Sequence, residues 1–310
     1  MVATAPHAAA LAALPLRTGE LELHGSTTRY WDYGPADAAV SLVICHGYRG
    51  DHHGLEPVIA RLPGIRIVAP DLPGFGASTP MTELPHSIDG YARWFRSFVE
   101  SMGLSDAVVL GHSFGSIVTA HAVAAGLTAG DWSPPGLILV NPIASDPAKV
   151  GGAGITRLYY GAARRMPERV GRALLASPLI VSVMSRTLVK TPDRALRSWI
   201  HEEHHRYFSG FSDVRTVAEG FDASLSAQVG DAAAHVEVPT LLIAGAVDHI
   251  APLAGAERTV GLFPDGRLVV LPGVGHLIHY EAADGAAQAI GAFLAELAAP
   301  EAPGAPESSS

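Results

Sequence analysis

A serine stands between two glycines at residues 111–115, where the sequence reads Gly-His-Ser-Phe-Gly. The apolar run Ala-Val-Val-Leu precedes this stretch, and an Ala- and Val-rich run typical of a helix follows it directly. A strand that turns sharply into a helix at a serine exposes the hydroxyl, and small residues two positions before and after it leave room for the turn. The pattern therefore predicts that Ser113 is a nucleophile for acyl transfer.

A serine hydroxyl needs an adjacent imidazole that takes its proton and a carboxylate that orients the imidazole. Asp248 follows the apolar run Thr-Leu-Leu-Ile-Ala, and His276 follows the next such run, Arg-Leu-Val-Val-Leu. Because the carboxyl ends of parallel strands meet at one edge of a sheet, these two side chains can converge on Ser113. Two alternatives stay open: Asp146 as the acid, and His279 as the base.

Short runs rich in Val, Ile and Leu alternate with longer Ala-rich segments, and this rhythm predicts an α/β fold with a mostly parallel, doubly wound sheet. An antiparallel hairpin is expected at the sheet edge over residues 20–33, where residue types alternate around a central glycine. The other predicted strands cover residues 41–45, 65–69, 107–110, 136–140, 240–244 and 267–271. The predicted helices cover residues 54–61, 88–102, 114–125, 251–262 and 282–297.

One long segment interrupts the alternation of strands and helices. Between residues 143 and 235, amphipathic helical stretches follow one another without a strand-like run, which predicts a helical cap inserted into the fold. The core then comprises residues 20–142 and 236–298. Residues 1–19 are expected to form a flexible N-terminal arm, and the Pro- and Ser-rich residues 299–310 a disordered tail.

Five motifs resemble those of capped, esterase-like serine hydrolases of the α/β-hydrolase fold superfamily: CHGY, DLPGFGAS, GHSFG, AGAVDHIAP and GVGHLIHYE. The resemblance covers most of the chain. It implies catalytic roles for Ser113, Asp248 and His276, and an oxyanion hole formed by the backbone N–H groups of Tyr48 and Phe114. The chain also resembles epoxide hydrolases and haloalkane dehalogenases, but those branches carry aspartate at the elbow. The serine at this position therefore argues against them.

The loop after the first motif departs from the pattern of many relatives, which carry Pro or a further Gly there. This chain has Arg49 followed by Gly-Asp-His-His. His46, Arg49 and His112 surround the predicted pocket and are the candidate substrate-binding residues. Together with the arginines of the cap, Arg49 offers a positive charge to a substrate carboxylate.

Residues 201–205 read His-Glu-Glu-His-His, which matches the H-E-x-x-H pattern of zinc proteases. No third ligand stands nearby in the sequence, so a polar, solvated face of a cap helix is the expected structure. Neither a metal ion nor an organic cofactor is expected, because hydrolysis by a Ser-His-Asp set needs neither.

The composition gives 48% hydrophobic and 16% charged residues, which suits a globular protein. Because the net charge is −9 and no run of Lys and Arg occurs, neither nucleic acid nor a membrane is expected as a partner. Cys45 is the single cysteine and cannot form an internal disulfide, and the N-terminal stretch lacks the basic residues of a secretory signal. These features predict a cytoplasmic protein, and they leave its oligomeric state open.

The sequence as a whole predicts a serine hydrolase that acts on a small molecule. The expected reaction is cleavage of a carboxylic ester, or of a related acyl bond, in a mainly apolar substrate through an acyl-enzyme on Ser113. Two alternatives stay open. The same residues can hydrolyse the carbon–carbon bond of a meta-cleavage type of dioxo acid, and the same fold can serve as a ligand receptor without turnover.

Overall fold

The computed structural model describes residues 5–146 and 153–299, except for the side chains of Ala153 and Ile155. Within these ranges eight strands form one sheet. The strands are β1 Leu16–Leu23, β2 Ser26–Tyr33, β3 Ser41–Cys45, β4 Arg66–Pro70, β5 Val108–His112, β6 Leu137–Val140, β7 Thr240–Gly245 and β8 Gly266–Leu271. Their order across the sheet is β1-β2-β4-β3-β5-β6-β7-β8.

The sheet is mostly parallel. β1 pairs antiparallel with β2, and β2 pairs antiparallel with β4, while every other neighbouring pair of strands is parallel. The predicted edge hairpin is therefore present, and the α/β fold class is confirmed.

Helices cover both faces of the sheet. They are α1 Ala8–Ala12, α2 Glu56–Ile59, α3 Ile88–Ser101, α4 Phe114–Ala129, α5 Ala153–Arg165, α6 Glu168–Leu175, α7 Pro178–Leu188, α8 Arg194–Tyr207, α9 Val214–Ser224, α10 Gly230–Ala233, α11 Leu253–Val260, α12 Ile278–Glu281 and α13 Ala283–Ala298. A short 3-10 helix, His52–Leu55, precedes α2.

The central strands are apolar at nearly every position because both of their faces are buried. In β3, Val43 and Cys45 pack into the core that contains α3 and α4, whereas Leu42 and Ile44 pack into the core that contains α2 and α13. Because successive side chains of a strand point to opposite faces of the sheet, β3 contributes residues to both cores. This arrangement holds the carboxyl end of each central strand in a fixed position.

Helices α5 to α9 lie between β6 and β7 in the chain, within the segment predicted to form a cap, and are called the cap helices below. α5 packs against α6 and α9, and α7 packs against α8. The cap helices join the core at Gly76, whose N–H donates to the carbonyl of Gly210 at 2.8 Å, and at Gly74, whose carbonyl accepts from Ser212 at 2.9 Å. Residues 147–152 of the predicted cap lie outside the described residues.

The N-terminal boundary differs from the predicted one. Residues 16–19, assigned from the sequence to a flexible arm, belong to β1, whose eight residues all pair with β2. Residues 8–12 form α1, and the His7 ring packs edge-on against Trp199 of α8, with 5.4 Å between ring centres. Of the predicted tail 299–310, Ala299 alone falls within the described residues.

No helix in the described ranges combines the length and the apolar character needed to cross a bilayer.

Candidate active site

Ser113 is the residue at which β5 turns into α4. Its backbone has φ of 53° and ψ of −117°, a conformation that costs free energy for a residue with a side chain. The surrounding packing enforces this turn. A Cβ at Gly115 would lie 2.2 Å from the carbonyl oxygen of Cys45, and one at Gly111 would lie 2.4 Å from the carbonyl oxygen of Gly115. Only glycine fits at these two positions, which the sequence pattern placed around the serine.

Three side chains from distant parts of the chain form one line of hydrogen bonds. His276 Nε2 lies 2.8 Å from Ser113 Oγ, and His276 Nδ1 lies 2.8 Å from Asp248 Oδ2. A carboxylate can only accept, so Nδ1 carries the proton and Nε2 presents its lone pair to the serine hydroxyl. The structure therefore brings together the three residues selected from the sequence, with the imidazole in the tautomer that can accept the hydroxyl proton.

Asp248 lies three residues after the end of β7 and is held by three further contacts. Its Oδ1 accepts from the backbone N–H groups of Ile250 and Ala251 at 2.8 and 2.9 Å. Its Oδ2 accepts from Asn141 Nδ2 at 2.9 Å. Burial alone would raise the pKa of Asp248, but the charge and hydrogen bond of His276 and the two backbone amides lower the pKa below its usual value. The group is therefore an anion at neutral pH.

Asn141 was not selected from the sequence. It follows β6, has φ of 47°, and its Nδ2 also donates to the carbonyl of Gly275 at 3.2 Å. Asn141 therefore ties the loop that carries Asp248 to the loop that carries His276. The rule that selected Asp248, a polar residue directly after a buried strand, applies equally to Asn141.

The two alternatives for these roles differ from the observed geometry. His276 Nδ1 bonds Asp248, so Asp146 is not the acid that orients this ring. His279 lies in α12, buried, with its Nδ1 lacking a hydrogen-bond partner among the described residues. Burial and the neighbouring His112 hold the pKa of His279 well below its usual value, so it is a neutral ring beside the site.

The backbone N–H groups of Tyr48 and Phe114 flank Ser113. Phe114 is the first residue of α4, so its N–H has no acceptor within the helix, and the positive end of the helix dipole lies there. Tyr48 follows Gly47, where an added Cβ would lie 3.2 Å from Ser113 Cβ. Neither N–H donates a hydrogen bond within the described ranges. The oxyanion role that the resemblance implies for these two groups stays a prediction.

The Tyr48 side chain anchors this loop under the cap helices. Its hydroxyl donates to the carbonyl of Val217 in α9 at 2.7 Å, and its ring contacts Phe75, Phe114, Tyr160 and Phe221. Burial raises the pKa of Tyr48 well above its usual value, so the hydroxyl stays neutral. The side chain therefore holds the loop by packing and by one hydrogen bond.

Arg49 is a buried guanidinium, 2% exposed, at a backbone φ of 57°. Its Nη2 donates to the carbonyl of Leu175 at 2.8 Å, and its Nε and Nη1 make longer contacts to the Phe208 carbonyl and the Tyr160 hydroxyl, both at 3.3 Å. The charge lies over the Phe208 ring, 4.3 Å from its centre. Among the described residues no carboxylate forms an ion pair with Arg49, which is unusual for a buried charge.

His46 and His112, also selected from the sequence, are both buried. His46 accepts from the backbone N–H of Leu72 at 2.8 Å and bonds the carbonyl of Gly47 at 2.8 Å, so both of its nitrogens hold the backbone and none is left for a substrate. His46 also lines the cavity beside Ser113, so a substrate contact by its ring stays a prediction. Burial and the nearby His276 lower the pKa of His112 to about 3. His112 Nε2 has no partner in the described part of the chain, so a substrate-binding role for it stays a prediction.

The His-Glu-Glu-His-His segment lies in α8 and forms the expected solvated face only in part, since His205 is exposed. Glu203 and His204 are buried, and His201 Nδ1 and His204 Nδ1 both lie 2.6 Å from the Ser185 hydroxyl in α7. The segment therefore joins α7 to α8. It supplies no group of side chains spaced for a metal ion within the described residues.

The described ranges hold one group with metal-like spacing, Asp51, His52 and His53. His52 Nδ1 bonds Asp71 at 2.9 Å, and His53 Nδ1 bonds Asp51 at 3.2 Å. The two imidazoles are stacked between Trp31, on the core side, and Tyr207 of α8. These side chains therefore connect the core to the cap helices, and this structural role explains why they lie close together.

A cavity of about 110 Å³ opens beside Ser113. Its core side includes Tyr48, Arg49, His112 and His276, and its cap side is formed by Leu188, Glu203, His204, Tyr207 and Phe208. The substrate was expected to be mainly apolar. The observed lining carries a glutamate and a histidine on its cap side, because the polar segment of α8 turns inward.

Comparisons with known proteins agree with this fold. Residues 23–289 match the model of the alpha/beta hydrolase family. The chain is 25% identical to a non-heme chloroperoxidase of Burkholderia pyrrocinia, over 80% of this chain and 88% of that protein. It is 26% identical to a pimeloyl-acyl-carrier protein methyl ester esterase of Xanthomonas campestris pv. campestris, over 86% of this chain and 97% of that protein. Bromoperoxidase from Bacillus anthracis superposes with a TM-score of 0.74 at 16% identity, covering 91% of this chain and all of that one.

The family match covers most of the chain, and the solved structure shares its fold. The chain belongs to the alpha/beta hydrolase family.

Proposed function

We propose that this protein is a serine hydrolase that cleaves a carboxylic ester, or a related acyl bond, of a small substrate through an acyl-enzyme on Ser113. The observation that carries the proposal is the unbroken line from Ser113 Oγ to His276 to Asp248, with 2.8 Å at each step. The esterase among the relatives supports the same chemistry.

The first half of the reaction uses each group once. Ser113 Oγ bonds to the carbonyl carbon as His276 Nε2 takes the hydroxyl proton, and Asp248 stabilises the imidazolium. The carbonyl oxygen, now negative, is received by the N–H groups of Tyr48 and Phe114. When the carbon–oxygen bond to the leaving alcohol breaks, His276 returns the proton to that alcohol. The acyl group remains on Ser113.

The second half repeats these steps with water. His276 removes a proton from a water molecule, the hydroxide bonds to the acyl carbon, and the ester bond to Ser113 breaks. Ser113 regains its proton from His276 and the acid leaves. A cavity of about 110 Å³ suits a short acyl group, so rates on p-nitrophenyl esters are expected to fall from acetate and butyrate to octanoate.

A fluorophosphonate probe tests the proposal directly. The expected result is one adduct on Ser113, located by peptide mass spectrometry, together with hydrolysis of p-nitrophenyl acetate. Ser185→Ala is the matched control, because Ser185 is a second serine hydrogen-bonded to histidine and is not part of the cavity lining. Labelling lost in Ser113→Ala and kept in Ser185→Ala supports the proposal. A protein that forms no adduct and hydrolyses no ester is instead the ligand receptor considered from the sequence.

A second candidate is hydrolysis of the carbon–carbon bond of a dioxo acid, favoured by Arg49. A buried guanidinium without a carboxylate partner, lining the same cavity as Ser113, suits a substrate that brings its own carboxylate. Comparing kcat/KM for a vinylogous dioxo acid with kcat/KM for p-nitrophenyl acetate separates the two candidates. A preference of tenfold or more for the dioxo acid would move the assignment to carbon–carbon cleavage.

A further inference from the structure

Positive charge is concentrated in one segment of the cap helices. Residues 153–200 contain nine of the 21 Lys and Arg residues of the chain and two acidic residues, a net charge of +7. Because the whole chain carries −9, the rest carries −16. The nine basic residues are Arg157, Arg164, Arg165, Arg169, Arg172, Arg186, Lys190, Arg194 and Arg197.

These charges lie at the surface. All nine are exposed except Arg172, which is half-buried. Two of them have acidic partners within ion-pair distance: Arg164 pairs with Asp222, and Arg172 with Glu168. No carboxylate of the described residues lies that close to the other seven. The segment therefore presents a positive potential that is largely uncompensated at short range.

Large apolar side chains protrude among the same charges. Leu158 is 76% exposed, Leu179 72%, Val183 56%, Val170 52% and Met166 40%. They make up half of the exposed large hydrophobic side chains of the described chain. We call this set, together with the nine basic residues, the basic cap surface. Exposed apolar groups concentrated on one segment mark a contact surface.

Helix α7 shows how the surface is arranged. Leu179 and Val183 are four residues apart and so lie one turn apart on one face, and Arg186 continues that face one turn later. The opposite face is buried through Val181 and Ser185. The helix thus packs inward with one side and offers leucine, valine and arginine to the outside.

Some of the same helices contact the cavity or its walls. Leu188, the last residue of α7, lines the cavity, and Tyr160 of α5 contacts Arg49 and the Tyr48 ring. The basic cap surface is thus carried by helices of which α7 and α8 also line the cavity and α5 contacts the Tyr48 loop.

We propose that the basic cap surface binds the surface of an anionic lipid bilayer. Arginine and lysine meet the negative headgroups, and the protruding Leu and Val side chains enter the boundary between headgroups and acyl chains. Arginine and protruding apolar side chains share the same helices, as Leu179, Val183 and Arg186 do on α7, and this composition is typical of a helix that lies in a membrane interface. The net charge of −9, on which the expectation of no membrane partner was based, conceals this local excess.

Vesicle sedimentation with the full chain tests the proposal. Phosphatidylcholine vesicles with and without an equal share of phosphatidylglycerol are compared at low salt and at 0.5 M NaCl. The expected result is binding to the anionic vesicles at low salt, with at least tenfold weaker binding to pure phosphatidylcholine and at high salt.

Two double variants separate the charged from the apolar contribution. Arg165→Gln with Arg169→Gln is expected to weaken binding by about twentyfold, and Leu179→Ser with Val183→Ser by about tenfold. The matched controls, Arg93→Gln with Arg258→Gln and Leu262→Ser with Val270→Ser, change exposed residues outside the cap helices and should leave binding unchanged.

The binding does not depend on hydrolysis, so Ser113→Ala should bind vesicles as the unaltered protein does. Equal binding to both kinds of vesicle, no binding, or full binding by both cap variants would overturn the proposal. Gel filtration of the same proteins tests the main alternative, in which this surface is a contact between two copies of the chain. A dimer that dissociates in Leu179→Ser with Val183→Ser, without vesicle binding, would make this surface a contact between subunits.

Discussion

The two sides of the cavity are built in different ways. On the core side, Ser113, Asp248 and His276 follow strands whose register is fixed by backbone hydrogen bonds to their neighbours. On the cap side, Glu203, His204 and Tyr207 are positioned by one helix, α8, which is held by side-chain contacts to α7 and to the core. The residues whose chemistry demands fixed distances are thus positioned by the sheet, and the cavity is enclosed by packed helices.

Replacing Asp248 by asparagine tests the core side most severely. The carboxylate of Asp248 fixes the His276 tautomer that carries its proton on Nδ1, and an asparagine amide does not. We therefore expect kcat to fall by about 10⁴-fold. Hydrolysis of p-nitrophenyl acetate measures the loss, and circular dichroism should show an unchanged fold. Asp146→Asn is the control, and equal losses in the two variants would contradict the assignment of the acid.

Gly115→Ala tests whether the sheet enforces the turn at Ser113. The new Cβ would lie 2.2 and 2.6 Å from the carbonyl oxygens of Cys45 and His46, so the free energy of unfolding should fall by about 4 kcal/mol. Urea unfolding measures this loss. Gly261→Ala, where nothing lies within 4 Å and φ is negative, should cost less than about 0.5 kcal/mol. A Gly115→Ala protein as stable as this control would show that the elbow is not constrained by packing.

Arg49→Met tests the attachment of the cap helices to the core. Its loss leaves the carbonyls of Leu175 and Phe208 without this donor, and we expect the free energy of unfolding to fall by about 2 kcal/mol. Hydrogen exchange should become faster in the cap helices and stay unchanged in β3 and β5. Arg61→Met, which removes a partly exposed pair with Asp284, is the control and should cost less than about 0.5 kcal/mol. Uniform acceleration across core and cap would remove the distinction between the two sides.

The contact of His53 with Tyr207 should make the attachment sensitive to pH. Burial alone would lower the pKa of His53, but the Asp51 carboxylate outweighs it and raises that pKa above the usual value. Protonated His53 is therefore stabilised by folding. Its contribution is complete below the pKa of an unfolded histidine, about 6.5, and is lost as pH rises through the folded pKa.

The measurement is the difference in unfolding free energy between the unaltered protein and His53→Gln. We expect this difference to be larger by about 1 kcal/mol at pH 5.5 than at pH 9. His235→Gln is the control, since His235 is exposed, and its effect should not depend on pH in this way. A constant difference for His53→Gln would show that the contact is merely steric.

The sequence predicted the core side well because its signals are local. A buried apolar run followed by a polar residue places that residue at a strand end, and parallel pairing then brings Ser113, Asp248 and His276 together. Asn141 obeys the same rule, but an amide has no place in the Ser-His-acid pattern and its bracing role depends on the distant Gly275.

The cap side could not be read in the same way. Helical periodicity places residues on a face of a helix, but it does not say which face turns toward the cavity. The His-Glu-Glu-His-His segment was expected to face solvent, whereas Ser185 and the core draw it inward. The roles of His46 and Arg49 depend on partners such as Leu72 and Leu175, which are distant in the chain, and no local pattern contains them.

The position of Arg49 next to Tyr48 has a mechanical consequence. The guanidinium of Arg49 donates to backbone carbonyls in two separate cap segments. The preceding residue, Tyr48, carries the N–H group that is proposed to receive the negative oxygen. An outward displacement of the cap helices would act on the Tyr48 N–H group directly through Arg49, the next residue in the chain. The geometry around the Tyr48 amide therefore depends on how α6 and the end of α8 are seated on the core.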